Sequence, residues 1–260
     1  MKLNNILNAF CLPFILLLFS AQLNANDDVF ESITIAAPIS APFVFKNAQG
    51  EPQGFLVELF SLVEKKTGLK VNISIMPWPR SMHEVKVGNT DALMPTIYTD
   101  ERAQYLTYPR LPIIEFHTVL LKRAEDEIVV DDITKLGTEK VIVKIRAMSM
   151  GKEFDDAEKA GLIKVIEVRD FDHAIQMLAQ YRADLVACVD YISNSSLKRL
   201  NLQGKIDTLK FSDEKTLAYL VFSKSYAKKN DINELMKKIN EVKSTSQYHV
   251  LVDKFLKLKS

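Results

Sequence analysis

Several common commitments are missing from this 260-residue chain. Its apolar residues never run for the 18 or so positions that a membrane-spanning helix needs. Cysteine is confined to Cys11 and Cys188, too few for a disulfide framework. Glycine occurs only eight times, and none of the eight builds a G-x-G-x-x-G turn, a phosphate-binding loop or a G-x-S-x-G elbow. Neither charge sign prevails, with 34 Lys and Arg against 33 Asp and Glu. The basic residues are scattered and not interleaved with aromatics, which argues against nucleic acid and acidic membrane surfaces. The four histidines, His83, His117, His173 and His249, fall in four different predicted elements, none with the i, i+4 spacing of a zinc helix. Cys188 lies in the apolar run "DLVACVD", where a small inert core thiol is expected. No metal, no cofactor and no enzyme signature is expected.

What is present begins with "MKLNNILNAFCLPFILLLFSAQLNAN". One lysine, an apolar run from Ala9 to Phe19 and a small-residue region ending at Ala25 form the layout of a cleaved secretory signal peptide over residues 1–25. The expected product is exported and soluble. Lys2 is the leader's only charge, so its loss takes the 34 basic side chains to 33, matching the 33 acidic ones. The remainder is long enough for one large or two modest domains with real cores.

Strand-like and helix-like segments then alternate. "SITIAAP" (32–38) reads as a strand, "GFLVELFSLVEKKTGLK" (54–70) as an amphipathic helix stopped at Gly68, and "KVNISIMPW" as a strand again. A short helix, Gly88 and a buried strand follow through Pro95, and "IIEFHTVLLK" (113–122) is extended. A second series has strands at 140–146, 164–168 and 184–190, with helices at 149–161 and 170–183 between them. The apolar segment 216–224 is long enough to cross back, and two capped helices close the chain. Alternating βα units predict α/β sheets with ligand crevices at the carboxyl ends of the strands.

One stretch raises a chemical question. In "MPTIYTDERAQYLTY" (94–108), Thr99 reads as a helix N-cap, and Asp100 and Glu101 suit the positive end of the helix dipole. Arg102 follows at about the third helical position, where that dipole disfavours a cation. An anion supplied by a ligand would account for it.

From Ala41 to Leu121 the chain resembles family 3 of the bacterial extracellular solute-binding proteins, the periplasmic amino-acid receptors of ABC importers. The resemblance rests on "APFVFKNAQGEPQGFLVEL" (41–59), on Trp78, Gly88 and Asp91 in "WPRSMHEVKVGNTDAL" (78–93), and on "TDERAQYLTY" with its T-x-x-R helix start. It continues more thinly through "ITKLGTEKVIVKIRAMSMGKEF" and "YRADLVACVD" to the tail helices. It implies a type II periplasmic-binding-protein-like fold of two α/β lobes, with hinge crossings near 114–122 and 208–218. Lobe 1 would hold residues 26–115 and 213–260, and lobe 2 residues 116–212. The implied function is capture of a small carboxylate-bearing ligand, an amino acid above all, and its delivery to an ABC-type permease by a monomer. A sensory membrane partner is the alternative. An enzyme of dehydratase type is a further one, with Glu58, Glu115 and His117 as acid–base candidates.

By the same resemblance Arg102 holds the ligand carboxylate, Trp78 forms an aromatic cleft wall, and Arg80 beside it offers a second anion contact. Thr96 and Ile97 line the site, and Ser149 caps the helix of the anion-facing turn, where Ala147 or Met148 replaces the family's glycine. Ser40 stands where many relatives present an aromatic ring. The family's ammonium-binding carboxylate falls on Val189, and Asp190, one residue late, serves as amine partner if a bulge turns it round.

Overall fold

A computed structural model of the chain describes residues 31–210 and 215–256; the expected leader, 1–25, lies outside them. The strands follow in chain order. The first seven are β1 (Ser32–Ala37), β2 (Phe45–Lys46), β3 (Pro52–Gln53), β4 (Lys70–Ile75), β5 (Ala92–Ile97), β6 (Leu106–Thr107) and β7 (Ile114–Phe116). The remaining ones are β8 (Thr118–Arg123), β9 (Val141–Ile145), β10 (Lys164–Val168), β11 (Leu185–Val189), β12 (Ile206–Lys210) and β13 (Thr216–Ser223). The helices are α1 (Phe55–Thr67), α2 (Trp78–Val87), α3 (Asp100–Tyr105), α4 (Lys152–Lys159) and α5 (Phe171–Ala179), then α6 (Asp190–Arg199), α7 (Lys224–Lys229), α8 (Ile232–Lys243) and α9 (Ser246–Phe255).

Two sheets organise the molecule. The first has the order β4-β1-β5-β13-β6, with β7 also paired to β13; the second has the order β10-β9-β11-β8-β12. Within each, three strands run parallel (β4, β1 and β5; β10, β9 and β11), and the strands added beyond them are antiparallel. The expected extended run 113–122 is split between the sheets: β7 pairs in the first, β8 in the second, and His117 alone lies between them. The return passes from β12 in the second sheet to β13 in the first.

Helices cover both faces because their apolar stripes demand it. In α1, Phe55, Leu56, Leu59, Phe60 and Val63 are buried, each contributing roughly 1.5–3 kcal/mol. Gly68 ends α1 in the left-handed conformation expected of a glycine C-cap, its N–H donating to the Glu64 carbonyl. At the other end, the Phe55 and Leu56 amides donate to the carbonyls of Pro42 (2.9 Å) and Phe43 (3.0 Å). A helix start lacking a side-chain cap is thus satisfied by the "PF" dipeptide.

Several boundaries move from the expected ones. α2 begins at Trp78 behind Pro77, earlier than the sequence pattern suggested, with a proline in its first turn where no amide is needed. α4 begins at Lys152 with Gly151 as N-cap, not at Ser149. α6 was not read from "DYISNSSLKR", whose serines and asparagine favour caps and turns; its buried face, Ile192, Ser193, Ser196 and Leu197, comes from tertiary packing.

Candidate functional site

The lobes meet where parallel strands end. Pro38 and Ser40 follow β1, Trp78 follows β4, and Arg102 follows the end of β5; Met148 and Ser149 follow β9, and Ile192 follows β11. With Phe43, Pro95, Ile97, Phe116 and Val189, these residues enclose about 30 Å3 between the two sheets. The C-terminal edges of parallel strands are where open α/β sheets place ligands, because loops and helix starts converge there.

Arg102 is the charged group at this junction. The Thr99 hydroxyl caps α3, accepting from the Arg102 N–H at 3.2 Å, and so fixes the direction of the side chain. The guanidinium is buried, with only 8% of the residue exposed. It donates to the Ile97 carbonyl at 3.0 Å and, across the lobes, to the Ala147 carbonyl at 3.1 Å. It also lies 5.2 Å from the Trp78 ring centre, within cation–π reach. Its partners among the described residues are neutral, an arrangement that leaves a desolvated cation without a counter-charge. Tyr108 buttresses it from behind, its hydroxyl donating to the Ile97 carbonyl at 3.1 Å. Burial pushes that hydroxyl's pKa up to about 12, with Arg102 pulling the other way.

Trp78 is buried and donates its indole N–H to the Ala147 carbonyl at 2.9 Å. One lobe-2 oxygen therefore takes hydrogen bonds from two of the lobe-1 residues that the sequence singled out. Ala147 presents that oxygen by adopting a left-handed backbone, φ 57°, a conformation that glycine adopts more easily. Its own N–H donates to Glu167 at 3.0 Å. Such a conformation costs an alanine about 1 kcal/mol.

Ser149 lines the junction and is buried, but its hydroxyl is committed to Asp155 Oδ2. Asp155 also accepts from the Met150 N–H at 2.9 Å. The turn before α4 thus carries its own carboxylate, which meets an amide that a ligand anion would otherwise face.

The structure brings Arg102, Trp78, Ile97 and Ser149 together and leaves three other expected residues aside. Arg80 lies on the exposed side of α2, its guanidinium 3.8 Å from Glu84. Thr96 and Ile97 are neighbours on β5, so they face opposite ways; Ile97 lines the junction, and Thr96 is fully buried among core side chains. Asp190 points to the crossing, where its carboxylate lies 3.4 Å from His117 Nδ1 and accepts from the Tyr191 N–H at 2.7 Å. β11 pairs with β8 in unbroken register from Val186 to Val189, so no bulge turns Asp190 round. Val189 takes the cleft position instead, as strand alternation requires. Ser40 also lines the cleft, with Phe43 and Phe116 as the nearby rings. Those two phenylalanines and Ile192 were missed by sequence reasoning, and Met148 was named only as a possible replacement for a glycine; Phe116 ends β7, and the other three follow strand ends.

The acid–base candidates are likewise engaged elsewhere. Glu58 pairs with Lys254 at 2.7 Å and Glu115 with Lys215 at 3.2 Å, while His117 faces Asp190. Among the described residues, no group of three or more His, Cys, Asp or Glu side chains could hold a metal ion. Cys188 is fully buried, and burial pushes its thiol pKa far up. Gly88 and Asp91 prove structural. The Asp91 carboxylate accepts from the Thr34 N–H (2.8 Å) and hydroxyl (2.7 Å), tying β5 to β1.

Two α/β lobes joined at strand crossings, with a buried cation where they meet, define a two-lobe binding-protein fold of the type II periplasmic class. Residues 33–257 match bacterial extracellular solute-binding proteins, family 3, and the chain belongs to that family. Solved structures agree. The sensor domain of a histidine kinase with similarity to periplasmic binding proteins superposes with a TM-score of 0.76 at 16% identity, covering 88% of this chain and 98% of the other. An ancestral arginine-binding protein bound to arginine gives 0.71 at 20%, covering 88% and 99%. The arginine-, lysine-, histidine-binding protein of Geobacillus stearothermophilus gives 0.70 at 22%, covering 88% and 97%. Likeness at these identities speaks for the fold. No curated protein matches the chain.

Proposed function

We propose that this protein is a periplasmic solute-binding protein that captures a small carboxylate-bearing ligand between its lobes and presents the closed form to an ABC-type permease. The observation that carries the reading is Arg102: a buried guanidinium, aimed at the lobe junction, with only neutral partners among the described residues. A ligand carboxylate replacing the Ala147 carbonyl would supply the missing charge through a charge-assisted pair. Trp78 would then wall the site, and hinge motion at the crossings would close it. The amino-acid version of the reading has less support. The residues lining the junction include no acid: Val189 lines it, and Asp190 does not.

Transport and sensing share this chemistry, and the likeness to a kinase sensor domain keeps a membrane receptor as the second reading. The test is a thermal-shift screen of freshly refolded protein against amino acids and simple carboxylates. A ligand at 100 times its Kd adds about 2.7 kcal/mol of stability, a shift that Arg102→Ala abolishes. Unchanged affinity in that variant would remove Arg102 from the site. Cross-linking in cells to a permease or to a signalling receptor separates the two partners.

A further inference from the structure

With the lobes as they stand, the space around Arg102 is about 30 Å3, room for little more than one small group of an organic ligand. Against the same side chains (Pro38, Ser40, Trp78 and Met148) lies a second inter-lobe cavity of about 500 Å3, within the range of small-molecule sites. Its walls come from both lobes, with Met76 and Pro77 after β4 facing Arg146 after β9 and Phe171 after β10. The lining is largely apolar, and its charge is confined to Lys46, Arg146, Arg169 and Asp170.

These charges do not balance. The Asp170 carboxylate serves as the N-cap of α5, accepting from the His173 N–H at 2.8 Å. Arg146 has one distant partner, Glu167 at 3.8 Å, while Glu167 also meets Lys144 at 3.4 Å and the Ala147 N–H at 3.0 Å. No described residue makes an ion pair or side-chain hydrogen bond with Arg169 or Lys46 in this structure. The cavity therefore combines an apolar floor with a rim of excess positive charge, which would repel a cationic side chain and favour an anionic one.

We propose that the ligand is an elongated organic dianion. One carboxylate sits on Arg102, an apolar mid-section lies against Trp78 and Phe171, and a second anionic group meets Arg146 and Arg169. This inference rests on Arg102 as the anchor, and the experiment separates the two claims. Calorimetric titration of the purified protein compares succinate, adipate and suberate with butyrate, hexanoate and octanoate. Once the chain is long enough to reach the rim, each diacid should bind about tenfold more tightly than its matched monoacid, and added salt should narrow the gap. Arg146 and Arg169 are exposed, so the double variant Arg146→Ala/Arg169→Ala should fold; its diacid affinity should fall to that of the monoacid. Equal affinities for diacids and monoacids overturn the inference, as does a diacid preference that survives the double variant or a failure of every diacid to bind. The anchor fails separately, if Arg102→Ala leaves monoacid and diacid affinities unchanged.

Discussion

A guanidinium enclosed by two backbone carbonyls and an indole face is held by geometry, not by charge compensation. Its position was legible because Thr99, Asp100 and Glu101 announce a helix start, and a cation there conflicts with the local dipole. The partner oxygen on Ala147 was not legible, since it lies 45 residues away in the other lobe. Gly54 makes a second point at this scale. Its backbone adopts φ 128°, and an added Cβ would stand 2.4 Å from the Phe43 carbonyl oxygen. Only glycine lets α1 approach closely enough for the Pro42 and Phe43 carbonyls to take its first amides. Gly54→Ala should therefore destabilise the protein by about 3 kcal/mol, lowering the thermal midpoint by on the order of 10 °C. A variant melting within a degree or two of the parent would show that the segment relaxes freely.

Among the elements, α4 and its preceding turn depart furthest from expectation. Ser149 was expected to cap the helix, yet Gly151 holds the N-cap position and the Ser149 hydroxyl is tied to Asp155. The physical reason is reciprocal. A carboxylate in the first turn reaches back to amides that precede it, as in a capping box, and this sets where the helix begins. Asp155→Ala should cost about 1–2 kcal/mol and free the Met150 amide. Hydrogen exchange reads this directly, and unchanged protection at Met150 would sink the account. β11 and α6 show how a single register decides chemistry. Strand alternation puts Val189 in the cleft and Asp190 at the crossing, and the continuous ladder to β8 permits nothing else.

For the whole molecule, the two crossings are also linked to each other. The Thr118 and Thr216 hydroxyls lie 3.1 Å apart, and Glu115 meets Lys215 at 3.2 Å. Nearby, Lys243 at the end of α8 donates to the Pro112 carbonyl at 3.0 Å. Its burial lowers its pKa from 10.5 to about 8. Between these two values the unfolded chain holds a proton that the folded chain has released, so stability rises with pH across that window. The rise from this group is up to about 3 kcal/mol, present in full above the unfolded value and absent below the folded one. Lys243→Met should flatten the stability difference between pH 8 and 10.5 relative to the parent. Parallel curves from denaturant titrations in that range would contradict the burial of this amine.

Short-range physics accounts for what the sequence determined alone. Apolar periodicity located most strands and helices, glycine and Asx punctuation marked several of their ends, and one arginine out of place against a helix dipole marked a residue of the lobe junction. Those signals act over a turn or a strand, so they survive without tertiary context. Which residue of a neighbouring pair faces the cleft, which oxygen meets Arg102, and where space is left between the lobes depend on the two sheets coming together. Tertiary structure decided them, because each is set by contacts between segments far apart in the chain.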